Sequence, residues 1–97
     1  HDSNFNNKVV YVTDGRVDRI DPIAPVPPYR QIAAILRRRI ATGKYPPDTR
    51  IPTESELVEE FEVARSTARR AVEVLRGEGL IYTVPNRGSY VRQPPEA

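Results

Sequence analysis

The sequence predicts an α+β fold in which three helices precede a C-terminal β-hairpin. Apolar residues recur at helical spacing in three successive segments between residues 28 and 77. Glycines and prolines at residues 43–52 and 77–79 mark the ends of these segments. Two short β-prone runs then flank a Pro-Asn-Arg-Gly turn signal at residues 85–88. Because the chain has 97 residues and no internal repeat, we expect one small domain with an N-terminal extension.

The extension and its linker comprise residues 1–27. Residues 9–20 hold two runs around Asp14-Gly15, a pair that favours the type I′ turn of a β-hairpin, although the second run is more charged than a typical strand. An isolated hairpin is unstable in water, so we expect this one to pack on another surface, such as a partner subunit. Four prolines in residues 21–28 predict a linker with polyproline character. A role in dimerisation or in contacts to flanking DNA is expected for the extension.

The first predicted helix runs from residue 28 or 29 to residue 42, and Gly43 ends it. Residues 44–52 contain three prolines and are expected to be extended or turning. The apolar residues that share one face of the helix are Tyr29, Ile32, Ala33, Leu36 and Ile40.

The second and third predicted helices are short and closely spaced. A capping box of Thr53 and Glu56 starts the second helix, which should end near Phe61. The third begins near residue 65, ends at residues 77–79, and buries Ala68, Ala71, Val72 and Leu75. Two short helices with so tight a connection form a helix-turn-helix. With strands predicted at residues 80–83 and 89–92, residues 28–93 are expected to form a winged helix-turn-helix domain, followed by a disordered tail at residues 94–97.

The composition excludes several classes of function. The chain has no cysteine, and its single histidine is His1 at the terminus. It therefore offers no His/Cys metal cluster and no histidine base, and we expect no catalytic residue, no metal and no cofactor. No apolar run approaches the ~20 residues of a membrane span, so no membrane partner is expected. A chain without cysteine fits a reducing cytosol, and we expect a cytoplasmic protein.

Charge is distributed unevenly between the second and third helices. Residues 53–62 hold five Glu and no basic residue, whereas residues 65–76 hold four Arg against one Glu. Short polar or basic side chains at the start of the third helix are what a helix in the DNA major groove presents, and a glycine turn permits close approach to a narrow groove. Arginine suits guanine or phosphate, and hydroxyl groups suit phosphate. The candidate DNA-binding residues are Thr53, Ser55, Arg65, Ser66, Thr67, Arg69, Arg70, Asn86, Arg87 and Gly88.

From residue 28 to residue 91 the sequence resembles the winged-helix domain of GntR-type bacterial regulators. Six blocks carry the resemblance by their order and spacing: residues 29–32 (YRQI), 43–47 (GKYPP), 50–57 (RIPTESEL), 63–71 (VARSTARRA), 79–81 (GLI) and 87–91 (RGSYV). The resemblance implies a homodimeric repressor or activator that reads a palindromic operator in double-stranded DNA. It also implies base and backbone contacts for Arg65 and Arg69, phosphate and base contacts for Ser66 and Thr67, and a wing tip at Arg87 and Gly88.

Three positions depart from the family pattern. Ser55 stands where the family often has Arg, which weakens the case for a DNA contact from the second helix. Ala64 stands where a capping hydroxyl is usual, at a cost of about 1 kcal/mol. Asp48 replaces a common Gly in the turn before the second helix. Family members usually carry a ligand-sensing domain after the wing. Because the sequence stops at Ala97, shortly after the predicted wing, we expect an effector-binding domain to be absent from this chain, as in an excised domain or a short stand-alone regulator.

Alternatives to these interpretations remain open. The arginines of the third helix are either a DNA-reading row or a solvated face, and a winged-helix protein–protein adaptor without DNA binding is the alternative function. The arginines at residues 37–39 either touch phosphate or are solvated. We interpret Tyr82 and Tyr90 as packing residues rather than base-stacking platforms, and the glutamates of the second helix as a solvated face rather than a metal or acid–base site.

Overall fold

The computed structural model describes residues 11–13 and 16–93, with side chains from residue 18 onward. Its elements follow the predicted order of an N-terminal hairpin, three helices and a C-terminal hairpin. They are β1 (Tyr11–Thr13), β2 (Arg16–Asp18), α1 (Pro28–Ala41), α2 (Glu54–Phe61), α3 (Arg65–Gly77), β3 (Ile81–Val84) and β4 (Gly88–Val91). The architecture is a winged helix-turn-helix, as the sequence predicts.

The N-terminal hairpin pairs β1 with β2 in antiparallel register. Tyr11 lies opposite Asp18, and Thr13 lies opposite Arg16. The predicted hairpin is therefore confirmed in its strands, whereas the Asp14-Gly15 turn lies outside the described residues. The second strand forms despite its charge, and the side chain of its last residue, Asp18, is buried.

The hydrophobic core lies between the three helices and the base of the C-terminal hairpin. The four predicted core residues of α3 are all buried, and so are Leu57 and Phe61 of α2. In α1 the predicted stripe is buried at its centre, while Tyr29 and Ile40 are half-buried at its edges. Ile35 and Arg39 are also buried in α1, although neither belongs to the predicted stripe. The buried face of α1 is thus wider than the apolar pattern indicates.

The C-terminal hairpin, which we call the wing, consists of β3, β4 and the turn at residues 85–87. Ile81 pairs with Val91, and Val84 pairs with Gly88, so each strand is shifted by one residue from its predicted position. On the other side of β4, the chain before α2 adds a short pairing. The Ile51 amide donates to the Ser89 carbonyl at 2.9 Å, and the Val91 amide donates to the Thr49 carbonyl at 3.0 Å. This pairing joins the wing to the start of α2.

The ends of α2 and α3 show which local signals the fold uses. The predicted capping box is present, because the Glu56 amide donates to Thr53 Oγ1 at 3.1 Å and the Thr53 amide donates to Glu56 Oε1 at 2.8 Å. Helix α2 ends at Phe61 and is capped by Glu62, whose φ of 56° lies in the left-handed region. Helix α3 then starts after Ala64 with no side-chain cap, as the sequence predicts. The position of α3 therefore depends more on tertiary contacts than on its own N-terminal capping.

Asp48 has a left-handed backbone conformation at the turn position where the family that the sequence resembles commonly has glycine. Its φ is 64°, in the left-handed region where aspartate and asparagine are better tolerated than most residues. Its carboxylate accepts hydrogen bonds from Gln93 Nε2 at 2.8 Å and from the Tyr82 hydroxyl at 2.9 Å. These two hydrogen bonds lower the pKa of Asp48 below its ordinary value. The substitution thus keeps the turn and adds a polar link between this turn and the wing.

Candidate nucleic-acid interface

The outer face of α3 carries the predicted polar row. Arg65, Ser66, Arg69 and Arg70 are exposed, whereas Ala68 and Ala71 on the opposite face are fully buried. The burial follows the 3.6-residue period of the helix, so the small alanines let α3 approach the core closely while the arginines face outward. The structure thus places four of the five predicted α3 residues on the exposed surface, and Thr67 is partly covered.

Two of these arginines lie on either side of one carboxylate. Arg65 Nη1 and Arg69 Nε are each 3.5 Å from a Glu54 carboxylate oxygen. Arg65 Nη2 also donates to Ser55 Oγ at 2.9 Å. Both arginine side chains remain 55% exposed, and exposed pairs of this kind are worth about 0.2–1 kcal/mol. Glu54 therefore orients the two guanidinium groups while leaving them accessible to a stronger anionic or base partner.

The first turn of α2, the flank of α3 that faces the wing, and the wing itself enclose an open groove of about 470 Å³, which we call the wing groove. Arg65 and Arg76 contribute from α3, and Arg87 contributes from the wing turn. Six of the ten predicted residues line this groove: Thr53, Ser55, Arg65, Asn86, Arg87 and Gly88. The fold thus brings three distant stretches of sequence to one concave surface with a basic lining.

The wing tip is built from residues with special backbone geometry. Asn86 has a φ of 64°, and Gly88 has a φ of 125° that a residue with a side chain rarely adopts. A Cβ atom at Gly88 would also lie 3.0 Å from Arg50 Cδ, which is closer than ordinary contact. The Arg87 amide donates to the Val84 carbonyl at 3.0 Å, which closes the turn and leaves the Arg87 side chain exposed.

Two predicted residues lie on parts of α3 away from the wing. Arg70 stacks over the ring of Tyr29 in α1, with its Cζ 4.0 Å from the ring centroid. Thr67 lines a second groove on the opposite flank of α3, between the helix-turn-helix connection and residues 18–22. The structure therefore does not bring Arg70 or Thr67 to the wing groove; Ser66 and Arg69 are also outside its lining.

The sequence analysis overlooked two charged residues of this surface. Arg76 Nη1 donates to Thr83 Oγ1 at 3.0 Å and lines the wing groove. Its spacing of eleven residues from Arg65, three helical turns, could have identified it. Glu54 was assigned to the solvated face of α2, and only the tertiary structure shows that its carboxylate faces α3.

Other predicted interpretations are resolved by their contacts. Tyr82 and Tyr90 are half-buried and stack on each other with ring centroids 5.9 Å apart, which confirms them as packing residues. Among residues 37–39, Arg37 pairs with Glu78 at 2.8 Å on the surface. The surface interpretation is wrong for Arg39, which is only 2% exposed because carboxylates from two other elements surround its guanidinium group. No helix within residues 18–93 is long and apolar enough to cross a membrane.

Comparisons with known proteins agree with this geometry. Residues 28–91 match the family described as "Bacterial regulatory proteins, gntR family". The HTH-type transcriptional repressor NagR of Bacillus subtilis is 39% identical over 75 residues, which are 77% of this chain and 31% of NagR. The histidine utilization repressor of Pseudomonas putida is 36% identical over 70 residues, 72% of this chain and 28% of that repressor. The chain thus spans about a third of the length of these relatives, which are named as repressors and not as enzymes.

Solved structures show the same fold. The crystal structure of the AraR DNA-binding domain in complex with operator ORX1 has a TM-score of 0.69 and 38% identity, and the match covers 74% of this chain and 89% of that one. YtrA from Sulfolobus acidocaldarius, a GntR-family transcription factor, has a TM-score of 0.73 and 31% identity, with 80% of this chain and 82% of that one covered.

Proposed function

Because this chain belongs to the gntR family of bacterial regulatory proteins, we propose that it binds double-stranded DNA sequence-specifically and represses transcription. The observation that carries the proposal is the wing groove, where Arg65 and Arg76 of α3 and Arg87 of the wing line one concave surface. A major groove about 12 Å wide admits a helix, and a hairpin tip with glycine fits a narrower groove beside it. A relative of similar fold, the AraR DNA-binding domain, has been solved with operator DNA.

Each face of α3 has its own part in this proposal. Arg65 and Arg69, which Glu54 orients toward solvent, read bases from the exposed start of the helix. The hydroxyl groups of Ser66 and Thr67 donate hydrogen bonds to phosphate on the flank of α3, where Arg70 adds a positive charge. Asn86, Arg87 and Gly88 contact the adjacent groove, and Thr53 and Ser55 line the surface between them. Base contacts then supply specificity, and phosphate contacts supply affinity that depends on salt.

The same proposal includes a homodimer on a palindromic operator. One α3 helix reads only a few base pairs, and two copies related by a twofold axis read two half-sites about one helical turn apart. A protein that acts on bacterial chromosomal DNA works in the cytoplasm, which is the location we propose.

Selection of bound sites from a pool of random duplexes tests the function directly. The selected duplex should bind about 10³-fold or more tightly than random duplex at physiological salt, and the selected site should contain two inverted half-sites. Equal affinity for selected and random duplexes would rule out sequence-specific binding. If the protein then still bound a partner protein after neutral residues replaced the α3 arginines, that result would favour the adaptor function instead.

Sedimentation of the complex on full and half sites tests the dimer. We expect two chains on the full palindrome and one chain, bound more weakly, on a half site. One chain on both DNAs would refute the homodimer while leaving DNA binding itself in place.

A further inference from the structure

Arg39 is a fully charged side chain inside the domain. It lies on α1 and is 2% exposed, and its guanidinium carbon lies 5.8 Å from the centroid of the Phe61 ring. Burial by itself lowers the pKa of Arg39, but hydrogen bonds to Glu60, Asp18 and Tyr45 outweigh burial, so the net pKa is raised and the group stays charged. A buried charge of this kind needs partners on several sides.

The partners of Arg39 come from three separate segments, and we call these contacts the Arg39 network. Nε donates to Asp18 Oδ2 at 2.8 Å, at the end of β2. Nη2 donates to Glu60 Oε2 at 2.5 Å, in the last turn of α2. Nη1 donates to the Tyr45 hydroxyl at 2.7 Å, in the chain that follows α1. One side chain thus joins the N-terminal hairpin, α1 and the end of α2.

Asp18 is the member of the network that the N-terminal segment supplies. Its side chain has no exposed surface, and its second carboxylate oxygen contacts the Arg38 guanidinium group. Carboxylates of Asp18 and Glu60 and the guanidinium groups of Arg38 and Arg39 therefore meet in one cluster of opposite charges. Removal of one carboxylate would leave a buried positive charge without full compensation. Asp18 lies ten residues before the stretch that matches the family.

The chain that follows Asp18 remains attached to the domain. The Gln31 side chain accepts from the Asp21 amide at 2.7 Å, and its Nε2 donates to the Asp21 carbonyl and to the Val26 carbonyl at 2.8 Å each. Residues 18–22 face the helix-turn-helix connection across a groove of about 640 Å³ that is also lined by Ala64 and Thr67. The N-terminal segment is thus attached to α1 and lies beside the start of α3.

The start of α3 needs such external support. The connection from α2 contains Glu62 in a left-handed conformation, and Ala64 gives α3 no side-chain cap. The direction in which α3 leaves this connection therefore depends on tertiary contacts, which include the packing of its buried face in the core and whatever holds the end of α2 in place. Glu60, two residues before Glu62, is held by Arg39.

We propose that Asp18, acting through Arg39 and Glu60, is a positioning residue for DNA recognition by α3. The segment before α1 is then a working part of the DNA-binding unit rather than an appended tail. This inference rests on the proposed function, in that α3 is the helix that reads DNA.

Two charge-removing variants test the network, with one matched control. Asp18→Asn and Glu60→Gln each keep the shape of the side chain and remove its charge. Glu59→Gln makes the same change on the neighbouring residue of α2, which is exposed. Each protein is compared at a temperature at which circular dichroism shows it to be folded. The readouts are the affinity ratio between the selected duplex and a random duplex, and the amide NMR signals of residues 64–67.

We expect Asp18→Asn and Glu60→Gln to lower the affinity ratio by about fivefold or more, the lower end of typical coupling between sites. Both should also shift the amide signals of residues 64–67, and Glu59→Gln should do neither. If Asp18→Asn does not fold, Asp18→Glu, which keeps the charge but displaces the carboxylate from Arg39, replaces it with the same two readouts and the same two outcomes. A lower melting temperature with an unchanged affinity ratio and unchanged amide signals would overturn the proposal and leave a purely structural role. If the wild-type protein bound no duplex selectively, the proposed function would fail, and the amide signals would still decide whether Asp18 positions α3.

Discussion

Replacement of Arg65 by alanine separates DNA reading from simple surface charge. In the free protein this side chain is 55% exposed and has two solvent-exposed polar contacts, one to the Glu54 carboxylate at 3.5 Å and one to Ser55 Oγ at 2.9 Å. Under the proposed function, DNA binding exchanges these contacts for contacts to a base edge. The change Arg65→Ala should therefore cost little stability and much specific affinity.

The sizes of the two effects follow from the exposure of the contacts. An exposed ion pair is worth about 0.2–1 kcal/mol, so the free energy of unfolding should fall by about 1 kcal/mol or less. A bidentate arginine contact to guanine is worth about 1–3 kcal/mol of discrimination, which corresponds to a loss of about 5- to 150-fold in affinity for the selected duplex. Binding to random duplex should weaken less, because only one charge among many is removed.

Fluorescence anisotropy on a selected and a random duplex at the same salt concentration measures both losses. Arg37→Ala is the matched control, because Arg37 is half-exposed, pairs with Glu78 on the surface and lies outside the wing groove. We expect wild-type affinity for this control. Equal losses on both duplexes for Arg65→Ala would refute base reading by this residue, and an equal loss for Arg37→Ala would show that net charge alone explains the binding.

The wing and its neighbouring turn give three further predictions. Arg87→Ala should weaken binding to all duplexes alike and reduce the slope of log affinity against log salt by about 1, because one phosphate contact is lost; a change confined to one sequence would contradict this role. Gly88→Ala should lower the free energy of unfolding by about 1–3 kcal/mol, since φ is 125° and the added Cβ crowds a neighbouring side chain. Its control is Gly77→Ala in α3, where space is open and helix propensity favours alanine by about 0.5–1 kcal/mol; equal melting temperatures for the two variants would refute the strain argument. The pKa of Asp48 is lowered in the folded state, so its contribution to stability is present above the ordinary pKa of about 3.8 and is lost as the pH falls through the folded value. Asp48→Asn should therefore flatten the fall in melting temperature below about pH 4, and an unchanged pH profile would show that this carboxylate does not contribute.

Local signals in the sequence account for most of the elements. The capping box of Thr53 and Glu56 marks the start of α2, and both of its hydrogen bonds form. The small apolar residues of α3 recur at the helical period and are all buried. The turn signal at residues 85–88 lies between two strands that pair within one residue of the predicted positions. Each of these signals acts over a few residues, so it is readable without knowledge of the fold.

The sequence analysis was wrong or silent where distant charges meet. Both interpretations of the arginines at residues 37–39, phosphate contact and solvation, placed Arg39 on the surface. Its burial depends on Asp18 and Glu60, which are each 21 residues away and have no local pattern that connects them to α1. Similarly, Glu54 carries no signal that it faces Arg65 and Arg69 of the next helix.

By itself, the sequence determined the three helices, the wing and the polar row along α3, because hydrophobic period, capping and turn chemistry are local properties of the chain. Only the tertiary structure decided which basic residues share the wing groove and which one is buried. Those outcomes depend on how helices cross and on which carboxylates reach a given guanidinium group. Such distances are set by the packing of the whole core, and the spacing of residues along the chain does not contain them.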